Sequence, residues 1–346
     1  MTITPDNSTM NKKPVFWRDA KTVLNMESGF RHKLLCDGPV FSAGDACAYG
    51  CAFCYVGAMT DKLLRLDGSP IKDMKHEDIV VRRRDAVDLL REQLTVKGKG
   101  NAPRRRKYDN DNDNRVLYMS HSVDVAANME LLYETVEACL TIMELTAWHI
   151  RLLSKSNFLH LLPGLLIERG MLVEEVRQRL IFGVSTGTLD DKLAASFEIG
   201  CAKVSKRIES LHRLQDEGFR TYGMICPSLP QADYDAWAWE MANAIRADQC
   251  EHVWAEVLNP RGSNMEKMIA CLEAGGYPWE AEQMRLVTND YAAWEEYAKR
   301  TFMAHSGTDC YGLNQGSTVK LRFLQYVTKE TRTNWELFQP YGAILL

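Results

Sequence analysis

A chain of 346 residues, 46% apolar and 25% charged, can bury a large core without a disulfide framework, so its ten cysteines read as chemistry or packing. The formal charge of -4 excludes wholesale coating of nucleic acid but leaves room for a local basic groove. No stretch approaches the roughly 20 consecutive apolar residues of a membrane span, and no signal-peptide pattern opens the chain, so a reducing cytoplasm and no membrane are expected.

Residues 1–25 are polar and lack a clear period, which suggests an N-terminal arm or edge element. Pro39-Val40-Phe41 reads as a first strand, running through a bend at Ser42-Ala43-Gly44 into Cys47-Ala48-Tyr49-Gly50-Cys51-Ala52-Phe53-Cys54. Three thiolates at CxxxCxxC spacing can hold three irons of a 4Fe-4S cluster and leave the fourth open to a chelating small molecule. The competing reading is a structural zinc knot, which needs a fourth ligand such as Cys36 or His32. Tyr49, Phe53 and Tyr55 also fit simple packing of the loop.

Beyond the loop, Glu77 to Leu94 shows helical spacing, with Ile79, Val80, Val87, Leu90 and Leu94 on one side. Residues 97–114 follow as a flexible charged loop, Lys97 to Lys107 carrying six positive charges and Asp109 to Asn114 three negative ones. It is either a solvated excursion or a basic finger for phosphates. The chain then alternates. Val116 to Met119, His149 to Leu153, Leu180 to Val184, Thr221 to Ile225 and His252 to Val257 read as strands two to six. Helices are expected over Asn128 to Leu145, Leu161 to Arg169, Val204 to Gln215 and Tyr234 to Ala247, with Cys139 in the core and Gly218 as a C-cap.

Helix-sized connections between all six strands demand parallel pairing, hence an α/β fold. In such folds ligands gather where the strands' C-terminal ends converge. Those positions are polar here: Ser120, His121, Ser122 and Asp124 after the second strand, Ser154, Lys155, Ser156 and Asn157 after the third, and Ser185, Thr186 and Thr188 after the fourth. Cys226 and Ser228 follow the fifth, and Asn259 and Arg261 the sixth. Residues 261–346 read as a C-terminal helical and β appendage to a domain at 26–260. It has helices near Met265 to Ala274 and Pro278 to Phe302, a Gly-rich passage, and a β-like run at Val319 to Val327.

The cysteine motif, with an aromatic at Phe53, resembles that of the radical S-adenosylmethionine (SAM) superfamily. Ser154-Lys155-Ser156, the block from Gly183 through Asp190 to Phe197-Glu198 and Lys206-Arg207, and Cys226-Pro227-Ser228-Leu229-Pro230 resemble the spore photoproduct lyase-like (DNA repair photolyase) group. The resemblance spans roughly Leu35 to Pro260. It implies a partial (β/α)6 TIM-type barrel, a 4Fe-4S cluster on Cys47, Cys51 and Cys54, and S-adenosyl-L-methionine held by Lys155 and Ser185, with Ser122 or Asp124 near its ribose. It also implies a reductant such as flavodoxin or ferredoxin, a 5'-deoxyadenosyl radical that abstracts a hydrogen atom, and DNA or a thymidine-derived nucleotide as substrate.

One departure bears on the reaction. The group's hydrogen-donating cysteine after the second strand is missing from Met119-Ser120-His121-Ser122-Val123-Asp124. Modification or isomerisation of a thymine-derived base is therefore favoured over direct lesion reversal, with Cys226, Tyr55 and Tyr222 as catalytic candidates and Tyr118 as a further hydrogen donor. The rivals are a radical SAM enzyme acting on RNA, a peptide or a small metabolite, and a non-catalytic iron-sulfur or zinc protein that binds nucleic acid.

Overall fold

A computed structural model describes residues 3–64, 69–98, 100, 102–308 and 319–346. The chain forms two compact units, one of Met1–Gly50 with Val56–Phe182 and one of Cys51–Tyr55 with Gly183–Leu346. Among the described residues no helix is long and apolar enough to cross a membrane.

The first unit opens with short strands: β1 (Ile3–Met10), β2 (Lys13–Arg18), β3 (Leu24–Asn25), β4 (Val40–Phe41), β5 (Gly44–Ala46) and β6 (Gly50–Cys51), the last ending in the second unit. The polar N-terminal residues form a hairpin, β1 antiparallel to β2, turning on Asn11 and Lys12 at positive φ. β2 pairs in parallel with β7 (Val80–Arg83), which pairs antiparallel with β5, and Phe16, Ala46, Ile71, Ile79 and Val81 pack together there. This corrects the helix expected from Glu77. The α-helix starts only at Ala86, because Ile79-Val80-Val81 is β-branched and Asp85 takes a left-handed turn at φ 52° before the first helical residue.

The charged segment is less open than its composition suggests. Thr95–Val96 (β8) pairs antiparallel with Arg105–Arg106 (β9), leaving both arginines exposed on a short hairpin; Lys99 and Asn101 lie outside the described residues. Val116–Tyr118 (β10), His149–Ser154 (β11) and Leu180–Ser185 (β12) follow, and the sheet order in this unit is β3-β4-β10-β11-β12. β10 runs parallel to both β4 and β11. The helix Met129–Leu145 is capped by Asn128, whose side chain accepts from the Leu131 N–H, and it buries Cys139 completely.

In the second unit the order is β12-β14-β15-β16-β17, with β13 (Glu198–Ile199) paired separately to β6. β14 (Arg220–Ser228), β15 (Val253–Val257), β16 (Leu321–Gln325) and β17 (Ala343–Leu345) are all parallel neighbours. Side chains alternate across this sheet. Val253, Ala255, Val257, Leu321 and Phe323 join one core with Trp237, Met241, Ala298 and Phe302 of the covering helices. Tyr222, Cys226, Trp254 and Glu256 occupy the alternate positions. The segment read as an appendage thus adds β16 and β17 to the same sheet as β14 and β15. From residue 309 to 318 its Gly-rich passage lies outside the described residues. The fold is mixed α/β with parallel strands, and no closed barrel forms among the described residues.

Candidate active site

The cysteine loop contributes Cys47 to the first unit and Cys51 and Cys54 to the second. All three are partly exposed, unlike Cys36, Cys139 and Cys250, which are buried. Desolvation pushes the Cys139 and Cys250 thiols up to about 12, which suits inert packing and not ligation. His32, the other zinc candidate, is exposed.

In the first unit Cys47 is held by main-chain donors. Its Sγ accepts the backbone N–H of Tyr49 at 3.5 Å and of Asp124 at 3.3 Å. Such N–H donors stabilise negative charge on sulfur. Asp124 is the hub of this half-site. Its Oδ1 accepts from the Ala126 N–H at 2.9 Å and the Ser154 hydroxyl at 2.8 Å, and its Oδ2 accepts from the Lys155 N–H at 2.7 Å. Burial raises the carboxyl above its ordinary value, and these three donors pull it back. The loop after β10 is thereby tied to the loop after β11 and to Cys47.

Several strand-end hydroxyls are taken up by main-chain donors. Ser120 Oγ accepts from the Leu153 N–H, Ser154 Oγ from the Ser156 N–H and Ser156 Oγ from the Phe158 N–H. Ser122 is buried and Lys155 half-buried, beside the Asp124 hub.

In the second unit the Ala52 N–H donates to the Phe197 carbonyl at 2.8 Å, and the Phe53 ring packs edge-on against Phe197. Asn264 donates to the Phe53 carbonyl at 3.1 Å, fixing the loop between Cys51 and Cys54. Cys201, which sequence reasoning did not single out, lies with its sulfur 3.5 Å from that of Cys51. Behind it is a fully buried pair, Arg207 to Glu198 at 2.5 Å; Arg207 also donates to the carbonyls of Ala202 and Ser185. Ser185 donates to the Cys226 carbonyl at 3.1 Å, so its hydroxyl and main chain are both anchored.

Cys226 stands at the C-terminal end of β14 with its thiol 3.8 Å from Glu256 Oε2. Tyr326, just past β16, hydrogen-bonds the same carboxylate, and burial together with that negative charge pushes its phenol well up. Glu256 and Tyr326 are the residues that sequence reasoning missed. The one available signal is Glu256 itself, a lone carboxylate in an apolar strand, two residues from Trp254 and so on the same face. Tyr222 is fully buried against Trp254, whereas Tyr55 is half-buried beside Cys54.

Among the described residues no group of three His, Cys, Asp or Glu side chains is drawn together as a finished metal cage. The donor chemistry nevertheless fits a thiolate-held cluster, since the three motif cysteines are partly exposed and Cys47 carries two amide donors.

No family model matches the sequence, and no curated protein matches it. Among solved structures, a variant of spore photoproduct lyase with dinucleoside spore photoproduct matches at a TM-score of 0.50 and 10% identity, covering 76% of this chain and 67% of that one. This chain shares the fold of spore photoproduct lyase. Another structure, of the lyase complexed with dinucleoside spore photoproduct, matches at a TM-score of 0.49 and 11% identity over 75% of this chain and 66% of that one. A third covers 65% of the lyase's length, so the chain spans about two thirds of these proteins. The resemblance read from the cysteine motif is borne out at the level of fold.

Proposed function

We propose that this protein is a radical SAM enzyme built on an open, partial (β/α) barrel, acting on a thymine-derived base of DNA or of a nucleotide. The observation that carries the reading is the CxxxCxxC loop, whose first cysteine accepts amide hydrogens from Tyr49 and Asp124, on the fold of spore photoproduct lyase. Cys47, Cys51 and Cys54 would hold a 4Fe-4S cluster; Lys155, Ser185, Ser122 and the Asp124 loop would hold S-adenosylmethionine. When bound, the two groups supply one-electron chemistry able to remove a hydrogen atom from an unactivated carbon.

The chain's own residues do the rest. The Lys155 ammonium pairs with a carboxylate as a compact point charge, and its main chain is held by Asp124. Cys226 presents an S–H hydrogen to a substrate radical, with the Glu256 carboxylate and the Tyr326 hydroxyl beside it. The dinucleoside spore photoproduct present with the lyase supports a DNA-derived substrate. The absence of cysteine from Met119 to Asp124 favours modification or isomerisation over dimer reversal. A flavodoxin or ferredoxin would deliver the electron.

The test is anaerobic reconstitution with iron and sulfide, reduction, and addition of S-adenosylmethionine with DNA deuterated at the thymine methyl. Release of 5'-deoxyadenosine carrying deuterium is the expected result. Intact S-adenosylmethionine, or full iron retention by Cys51→Ala, overturns the reading.

A further inference from the structure

We propose that Cys51 and Cys201 form a redox-active thiol pair that closes to a disulfide whenever Cys51 holds no metal. Both are free thiols within the second unit, and their sulfurs are 3.5 Å apart, which is van der Waals contact. A disulfide needs about 2.0 Å, so the sulfurs must approach by about 1.5 Å.

The backbone holds the pair in this relation on both sides. The Ala52 N–H donates to the Phe197 carbonyl at 2.8 Å, β13 runs beside Cys51, and the Cys201 N–H donates back to the Glu198 carbonyl at 3.1 Å. Arg207, bound to Glu198 and to the Ala202 carbonyl, fixes the residues flanking Cys201. The contact therefore belongs to a stiff corner of the fold and not to two drifting side chains.

The oxidant is a low-molecular-weight disulfide such as oxidised glutathione. A Cys51 thiolate attacks one of its sulfurs and releases one glutathione thiolate; Cys201, passing its proton to that thiolate, then attacks the Cys51 sulfur of the mixed disulfide and expels the second. The protein loses two electrons and two protons, and the glutathione disulfide gains both electrons. The pairing stands independently of the enzyme proposed above. Its consequence, that oxidised apoprotein refuses iron until reduced, rests on that reading.

The experiment uses full-length, metal-free protein treated with oxidised glutathione, capped with N-ethylmaleimide, digested and analysed by mass spectrometry. A peptide pair linked through Cys51 and Cys201, reversed by dithiothreitol and replaced by a glutathione adduct on Cys51 in Cys201→Ser, is the expected result. Cys51 recovered capped, left as a glutathione adduct in the wild type, or joined to Cys47 or Cys54 while Cys201 is capped overturns the proposal. Iron uptake is then measured on both forms. Uptake near zero when oxidised and at least tenfold higher after reduction supports the block on iron loading. If the disulfide forms but reduced protein still takes no iron, the pair stands and the cluster assignment falls.

Discussion

Asp124 accepts three hydrogen bonds through a carboxylate withdrawn from water, while its own N–H donates to Cys47. Replacing it by alanine strands the Ala126 N–H, the Lys155 N–H and the Ser154 hydroxyl, each at a cost of about 1–3 kcal/mol if it stays buried. Asp124→Ala is therefore expected to lose on the order of 3 kcal/mol in urea unfolding, and Asp124→Asn less, since its amide oxygen still accepts. Equal stability of all three proteins would show the clamp to be idle. Cys226 carries a different prediction. If its thiol supplies the returning hydrogen, Cys226→Ala should still move deuterium into 5'-deoxyadenosine but lose at least tenfold in finished product, with side products taking its place. Unchanged product yield would assign the hydrogen to another donor.

At the scale of elements, packing is strictest where β12 meets β14. A side chain at Gly183 would overlap the Tyr222 ring, which is itself fixed edge-on against Trp254 at 5.3 Å. Gly183→Ala is expected to cost 1–3 kcal/mol or more as an overpacked core, and Gly183→Ala with Tyr222→Leu to recover part of it; a double variant as unstable as the sum of its parts would deny the contact. These strands were legible in the sequence because each is a mostly apolar run bounded by turn residues, and the runs at Val116, His149, Leu180, Thr221 and His252 all became parallel strands or their flanks. β7 was not legible. Four residues of Val and Arg fit a helical period as well as a strand, and the partners that decide the matter, Val15 to Arg18 and Gly44 to Ala46, lie far away in sequence. The site divides along the same line. Cys47, Cys51, Cys54 and Lys155 lie in local patterns, whereas Glu256, Tyr326 and Cys201 acquire neighbours only through strand register and the β6–β13 bridge.

Across the whole molecule, a surface balanced near neutrality hides titratable groups that fold against their charged forms. His305 is completely buried and held down to about 3 by desolvation; Trp237 stacks edge-on at 4.9 Å. His121 is held down to about 4 by burial first and then by the positive charge of Arg83. In the unfolded chain both titrate near 6.5. As pH falls below that value the unfolded state binds protons that the folded state excludes, so their contribution to stability is full above pH 6.5 and is lost towards pH 4 and 3. Asp124 and Glu134, whose carboxyls burial raises, act in the opposite sense, so the histidine contribution is read as a difference between two proteins that both carry them. His305→Phe removes one excluded proton while keeping an aromatic ring against Trp237. Between pH 7.5 and 5.5 the unfolding free energy of this variant should improve relative to the wild type by about 1.4 kcal/mol. Urea titrations followed by tryptophan fluorescence measure that difference, and a gap that stays constant with pH would mean that His305 is protonated in the folded protein.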